Sequence, residues 1–215
     1  MKNKLISKKI IIKSFIILIA LIGFIYITFK VFNNEIMKFD IASYEFISDH
    51  LISRYVTPIA LVITNMGSAL ALVSVALILL FVLKNKKIGV CICFNLALIT
   101  IINLILKNIV ERPRPSNFQI ISASGYSFPS GHSMISAAFY GYLIYLIWKY
   151  FKNKKLRIIL MFFLSILVFM IGISRVYLGV HYLSDVIAGF LISLAYLVVF
   201  TSIAKRYIGG KNENN

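Results

Sequence analysis

The sequence predicts an all-α protein: an integral-membrane bundle of six transmembrane helices with both termini in the cytoplasm. Three observations predict it. The 215 residues are 60% hydrophobic and only 14% charged, whereas a soluble domain sits nearer half apolar and a quarter charged. The apolar residues gather into six runs, several of them near the ~20 residues that cross a hydrocarbon core. The basic residues concentrate in every second connection between those runs.

The first run, Ser14–Phe29, follows Lys2, Lys4, Lys8 and Lys9 and so resembles a secretory signal. No small-residue cleavage site clearly follows it and the apolar stretch is long, which favours a retained first span. The others are Pro58–Leu83, Ile88–Leu106, Ser133–Trp148, Ile158–Ile173 and Val186–Ala204. Runs that look short at the first charge are completed by Lys and Arg side chains that reach up to the interface. Helices are expected because lipid leaves backbone groups no outside partner, and barrel-type alternation is absent. Cys91 and Cys93 lie two apart inside the third run and face different sides of a helix, which argues against a disulfide or a metal pair.

The chain reads as one domain over residues 1–215, with a core of about 58–204, a first span and outer connection over 14–57, and a frayed tail over 207–215. Within 31–57, Phe32, Ile36, Phe39 and Phe46 alternate with acids. That mixture predicts an interfacial helix that helps to select a lipid.

Orientation follows from the Lys and Arg distribution. The N-terminus, the connections after the second and fourth runs, and the C-terminus hold sixteen of the 23 basic residues. The other three connections hold six of the seven acids: Glu35, Asp40, Glu45, Asp49, Glu111 and Asp185. Both termini are therefore expected inside. Tyr142, Tyr145, Trp148 and Tyr150 suit an aromatic belt at the inner end of the fourth run. The formal net charge of +16 does not point to nucleic acid, since it sits in short loops between apolar runs.

The outward connections carry the chemistry. One runs from Lys107 through Arg112, Arg114 and Pro115 to Pro129-Ser130-Gly131-His132; the other runs from Ser174-Arg175 to His181 and Asp185. A phosphoryl group keeps its charge through transfer and needs cations around it. Lys107, Arg114 and Arg175 can supply them, with Arg offering the fork that matches phosphate. Ser130 and Gly131 open a helix, whose free N–H groups attract anions. His181 and Asp185, spaced i and i+4, share a face if a helix begins there. Such a pair is either a structural contact or a nucleophile with its orienting carboxylate. His132 remains as a candidate proton donor.

These segments resemble the three signature motifs of the type 2 phosphatidic acid phosphatase family, related to vanadium haloperoxidases. The motifs are Lys-x6-Arg-Pro at Lys107 to Arg114-Pro115, Pro-Ser-Gly-His at Pro129 to His132, and Ser-Arg-x5-His-x3-Asp at Ser174 to Asp185. The resemblance covers Lys107 to Asp185 and implies roles. His181 attacks phosphorus to form a phosphohistidine, Asp185 orients it, and His132 protonates the leaving group. Lys107, Arg114, Ser130, Gly131 and Arg175 hold the phosphate, with no metal and no other cofactor. Glu111 and Arg112 fall in the variable stretch of the first motif and receive no catalytic role. The implied partners are membrane lipids and a lipid phosphate: undecaprenyl pyrophosphate, phosphatidylglycerol phosphate or phosphatidic acid.

Three other readings share parts of this pattern. A lipid phosphotransferase would pass the same phosphohistidine to another head group. A haloperoxidase is expected to be soluble, against the apolar runs. A transporter or lipid-binding protein would leave the His181/Asp185 spacing unexplained.

Overall fold

The computed structural model describes residues 2–116 and 119–209, with the side chains of 2–7 and 9 left aside. Asn117, Phe118 and the residues from 210 onward, which make up most of the expected frayed tail, lie outside the described residues. Among the described residues eight helices follow in order: α1 Lys2–Phe32, α2 Lys38–His50, α3 Val56–Asn65, α4 Ala69–Val82, α5 Lys86–Val110, α6 Gly131–Tyr150, α7 Lys154–Tyr177 and α8 Leu183–Gly209. No strand occurs among the described residues. Tyr207 to Gly209 continue α8 instead of fraying, as the last turn of a 27-residue helix.

Short polar residues set several helix starts by accepting from an orphan N–H of the first turn. Ser68 accepts from Ala71 N at 3.3 Å, Asn85 from Lys87 N at 3.1 Å, and Asn153 from Leu156 N at 3.0 Å. Among the described residues, four single helical segments are long and apolar enough to cross a membrane: Ile10–Phe32, α5, α7 and α8. Ile11, Phe15, Ile25, Phe94, Phe162, Phe163 and Phe169 are all more than half exposed on them. So much outward apolar surface is foreign to a soluble monomer and makes this a multi-pass membrane protein.

The second apolar run departs from expectation. Pro58–Leu83 is not one helix but parts of two, α3 and α4, bent by 47°. The break lies at Met66-Gly67-Ser68 and has a packing cause. A Cβ on Gly67 would stand 2.7 Å from Ile171 Cγ2 and 3.5 Å from His132 Cδ2. The carbonyl freed at Met66 accepts from the Tyr140 hydroxyl at 2.8 Å, and Ser68 caps the restart.

α6 is the inner helix. It packs against α5, α7 and α8 and buries Ser133, Met134, Ser136, Ala138, Phe139, Tyr140, Tyr142 and Leu146. This corrects one expectation: Tyr142 is fully buried, edge-on to the Phe200 ring, and belongs to the core rather than to an interfacial belt. Trp148 and Tyr150 are exposed, and Tyr145 is half-buried. Cys91 and Cys93 are free thiols, one buried and one partly so.

The helix expected in 31–57 is present as α2, but its buried face is not the aromatic one. Phe39 and Phe46 are exposed, as are Phe32 and Ile36 just before the helix, while Asp40 and Ile47 turn inward. α2 touches α7 and α8, at the end of the bundle where the motif residues collect.

Candidate active site

Each motif sits where an element ends. Lys107 is in the last turn of α5 and Arg175 in the last turn of α7. Ser130 is the N-cap of α6, and Asp185 lies in the first turn of α8. The ends converge because α6 and α8 pack closely at Gly189. A Cβ there would stand 3.1 Å from Met134 N and 3.2 Å from the Ser130 carbonyl. Ser130 N also donates to the Asp185 carbonyl at 3.1 Å, tying the two helix starts together.

His181 precedes α8 rather than riding on it, which corrects the expected pairing across one helical face. Asp185 still reaches back, because its Oδ2 accepts from Tyr182 N at 3.0 Å in the manner of a capping box. The same oxygen lies 3.4 Å from His181 Nδ1. On the far side of the ring, Arg114 Nη1 stands 3.1 Å from His181 Nε2. A guanidinium only donates. Nε2 therefore carries a lone pair, and the ring proton is on Nδ1, donated to Asp185. His181 is only 3% exposed. Burial pushes its imidazole down to about 4, against the pull of Asp185 toward the charged form. The ring is neutral at neutral pH.

Around this ring the charge is positive. His132 is within electrostatic reach of Arg175, His181, Arg114 and Lys107. Arg175 is buried, donates from Nη1 to Thr64 Oγ1 at 2.8 Å, and has no partner on Nε among the described residues. Lys107 is half-buried and donates to the Tyr126 carbonyl. Arg114 donates to the carbonyls of Ser124, Gly125 and Val180 at 2.8, 3.0 and 2.9 Å. Most of its fork thus holds the 124–125 turn, leaving the site mainly its charge and the Nη1 group shared with His181. Ser130 Oγ accepts from Ser133 Oγ at 2.9 Å. The N–H groups of Gly131 and His132, at the first helical positions, have no acceptor within α6. The eight expected residues are therefore brought into one neighbourhood: three cations, a helix start, a buried neutral His held between Asp185 and Arg114, and a second His.

Four residues in the surroundings were not marked by sequence. Thr64 supports Arg175. Asn103, one turn before Lys107, donates to the Pro129 carbonyl at 3.3 Å. Arg112 and Asp40 are buried against Asp185 and its neighbour Ser184. No local signal marks them, because each partner lies 26 or more residues away; only the unusual second Arg-Pro step at Arg112-Pro113 stands out.

Residues 88–208, more than half of the chain, match the PAP2 superfamily. The chain belongs to the PAP2 superfamily. It is similar to phosphatidylglycerophosphatase B of Bacillus subtilis, 35% identical over 145 residues that span 64% of this chain and 69% of that protein. It is 32% identical over 117 residues to the dolichyldiphosphatase of Saccharomyces cerevisiae, covering 51% of this chain and 49% of the yeast one. An undecaprenyl-diphosphatase of Sulfolobus acidocaldarius is 29% identical over 136 residues, 60% of this chain and 62% of the other. Among solved structures, a transmembrane PAP2-type phosphatidylglycerolphosphate phosphatase from Bacillus subtilis superposes with a TM-score of 0.77 at 24% identity, over 87% of this chain and 94% of that one. At that identity the likeness speaks for the fold. PAP2 membership with phosphatases as relatives makes the chain an enzyme, a hydrolase of the phosphatase class.

Proposed function

We propose that this PAP2 protein hydrolyses the terminal phosphate of a membrane lipid, without a metal, through a phosphohistidine at His181. The observation that carries the reading is the setting of the buried His181 ring, with Nε2 3.1 Å from Arg114 Nη1 and Nδ1 3.4 Å from Asp185 Oδ2, which assigns the lone pair to Nε2.

The steps follow from that geometry. Lys107, Arg114, Arg175 and the Gly131 and His132 N–H groups offset the charge of the phosphoryl oxygens. Ser130 adds a hydroxyl. His181 Nε2 displaces its contact with Arg114 and attacks phosphorus. The P–O bond to the lipid breaks, and His132, protonated as the anionic substrate binds beside it, gives that proton to the leaving oxygen. The positive ring formed on His181 is stabilised by the Asp185 carboxylate. Water then loses a proton to His132 and attacks phosphorus. The P–N bond breaks and its electron pair returns to Nε2, releasing phosphate. The cations do the work often given to metal ions.

Six spans are proposed: α1, the bent α3–α4 pair, α5, α6, α7 and α8, with residues 1–215 as a single domain. The basic connections, including Lys152, Lys154 and Lys155, support a topology with both termini in the cytoplasm and the site at the outer face. The substrate is a lipid phosphate taken from the bilayer. Phosphatidylglycerol phosphate comes first, because the Bacillus subtilis relative, matched over 145 residues at 35% identity, is a phosphatidylglycerophosphatase. Polyprenyl pyrophosphates are next.

The experiment is phosphate release by the purified protein in EDTA from phosphatidylglycerol phosphate, phosphatidic acid and undecaprenyl pyrophosphate, compared as kcat/KM. His181→Ala is expected to abolish turnover on all three. Full activity of that variant, or strict dependence on a divalent cation, would overturn the mechanism.

A further inference from the structure

The stretch between Lys107 and Arg114 holds one residue that is buried among charges. Arg112 is 6% exposed. Its Nη1 donates to Asp185 Oδ1 at 2.6 Å and to Ser184 Oγ at 2.7 Å, and its Nη2 reaches Asp40 Oδ2 at 3.3 Å. The guanidinium also lies over the Tyr182 ring, 4.0 Å from its centroid. The turn that sends Arg112 inward is left-handed, with Glu111 at φ 51° after the end of α5. A non-glycine residue holds that conformation at a cost, and such strain concentrates at working sites.

Asp40 closes the arrangement from α2. It is 2% exposed. Its Oδ1 accepts from Ser184 N and its Oδ2 from Ser184 Oγ, both at 2.7 Å. An anion at this place also suits the positive end of α8. One guanidinium is thus shared by two buried carboxylates, one of them the partner of His181.

We infer that Arg112 and Asp40 are positioning residues for the attack on phosphorus, and that α2 reaches the reacting ring through them. The inference rests on the reading of His181 as the attacking group. A carboxylate has two oxygens to assign. Arg112 takes Oδ1, so Oδ2 is turned toward Tyr182 N and His181 Nδ1. The His181 contact is the longest of the set, at 3.4 Å, so the ring depends on where Oδ2 is held. Removing the guanidinium frees the carboxylate to rotate and leaves two anions close together. One of them then binds a proton more readily. A protonated Asp185 is a poorer acceptor for Nδ1–H, and the tautomer with a lone pair on Nε2 loses its support.

Asp40 has opposite effects in two backgrounds. With Arg112 present, Asp40 steadies the guanidinium. Without Arg112, Asp40 is an uncompensated charge beside Asp185. A merely structural clamp does not produce this change of sign.

The test uses the full chain in phosphatidylglycerol phosphate vesicles, with Arg112→Gln, Asp40→Asn and the double variant. Arg112→Gln is expected to lower kcat by about 10- to 100-fold, with KM little changed and the acid limb of the rate profile moved to higher pH. Asp40→Asn alone should lower kcat by about 3- to 10-fold. Added to Arg112→Gln, it should raise kcat and bring the acid limb back down. Arg112→Lys should restore part of kcat, since it returns the charge but not the fork. Should Arg112→Gln not fold, Asp40→Asn carries the test, because it keeps the shape and the oxygen facing Ser184 N. Wild-type kcat in Asp40→Asn, an unmoved acid limb in Arg112→Gln, or independent losses that multiply in the double variant would each overturn the inference. His181→Ala separates the two levels. If it is dead while Arg112→Gln is normal, only the positioning role fails; if it is active, the nucleophile reading fails as well.

Discussion

His181 shows how burial and two neighbours assign one nitrogen to a task. Its ring is neutral because desolvation disfavours the imidazolium more than Asp185 favours it. The sign of the pH dependence follows. Protonation removes the lone pair, so kcat/KM falls as pH drops through about 4, where the free-enzyme ring titrates. Bound phosphate stabilises the imidazolium, so the acid limb of kcat should lie above that of kcat/KM. A profile flat down to pH 3, or one whose kcat limb lies lower, would refute this assignment. Arg175 is the cation with most to give, since its Nε has no partner among the described residues while Nη1 is held by Thr64. Arg175→Lys keeps the charge and loses the fork. It is expected to reduce kcat by about 10²- to 10³-fold, as removal of one well-placed donor does, measured by steady-state phosphate release. Arg114 should tolerate conservative change less in folding than Arg175, because its donors hold the 124–125 turn.

The helices deliver these side chains by where they stop. α5, α7 and the starts of α6 and α8 all end at one level, and the fit of α6 against α8 decides the register. Gly189 faces backbone atoms of α6 that cannot swing aside. Gly189→Ala is expected to push α6 from α8 by a few tenths of an ångström, destabilise the fold by about 1–3 kcal/mol, and lower kcat by disturbing Ser130. The check is the apparent thermal midpoint in detergent alongside turnover; an unchanged midpoint with unchanged kcat would show that the helices yield. The break between α3 and α4 belongs to the same scale. Hydropathy reads the run as continuous because Met66, Gly67 and Ser68 are few and not charged. The bend exists because Gly67 must approach Ile171 and His132 while Thr64 meets Arg175.

For the whole molecule, the surface and the charge distribution decide the environment. Large apolar side chains cover the outside of α1, α5 and α7, and the sparse charges gather at two ends. The motif end is predicted to face out. A Ser116→Cys variant, in a background without Cys91 and Cys93, should react with an impermeant maleimide on intact cells. A Lys152→Cys variant should react only after lysis. Ser116 and Lys152 are both exposed, so a reversed pattern would invert the orientation and place the chemistry inside. On α2, Phe39 and Phe46 are exposed while Asp40 turns inward to Arg112 and Ser184.

Long apolar runs, charge asymmetry and three spaced motifs determined the membrane class and the all-helical class, and they marked the eight candidate site residues that the fold gathers at one end. They could do so because lipid enforces hydropathy over whole spans and because motif spacing is local in the chain. Tertiary structure decided what no local pattern encodes. It placed Asp40 beside Arg112, 72 residues away, and Thr64 beside Arg175, 111 residues away. It put His181 on the turn before α8, and it gave the ring its tautomer through Arg114. The physical reason is that a buried charge is stable only beside a partner, and the partner is chosen by which helix ends meet.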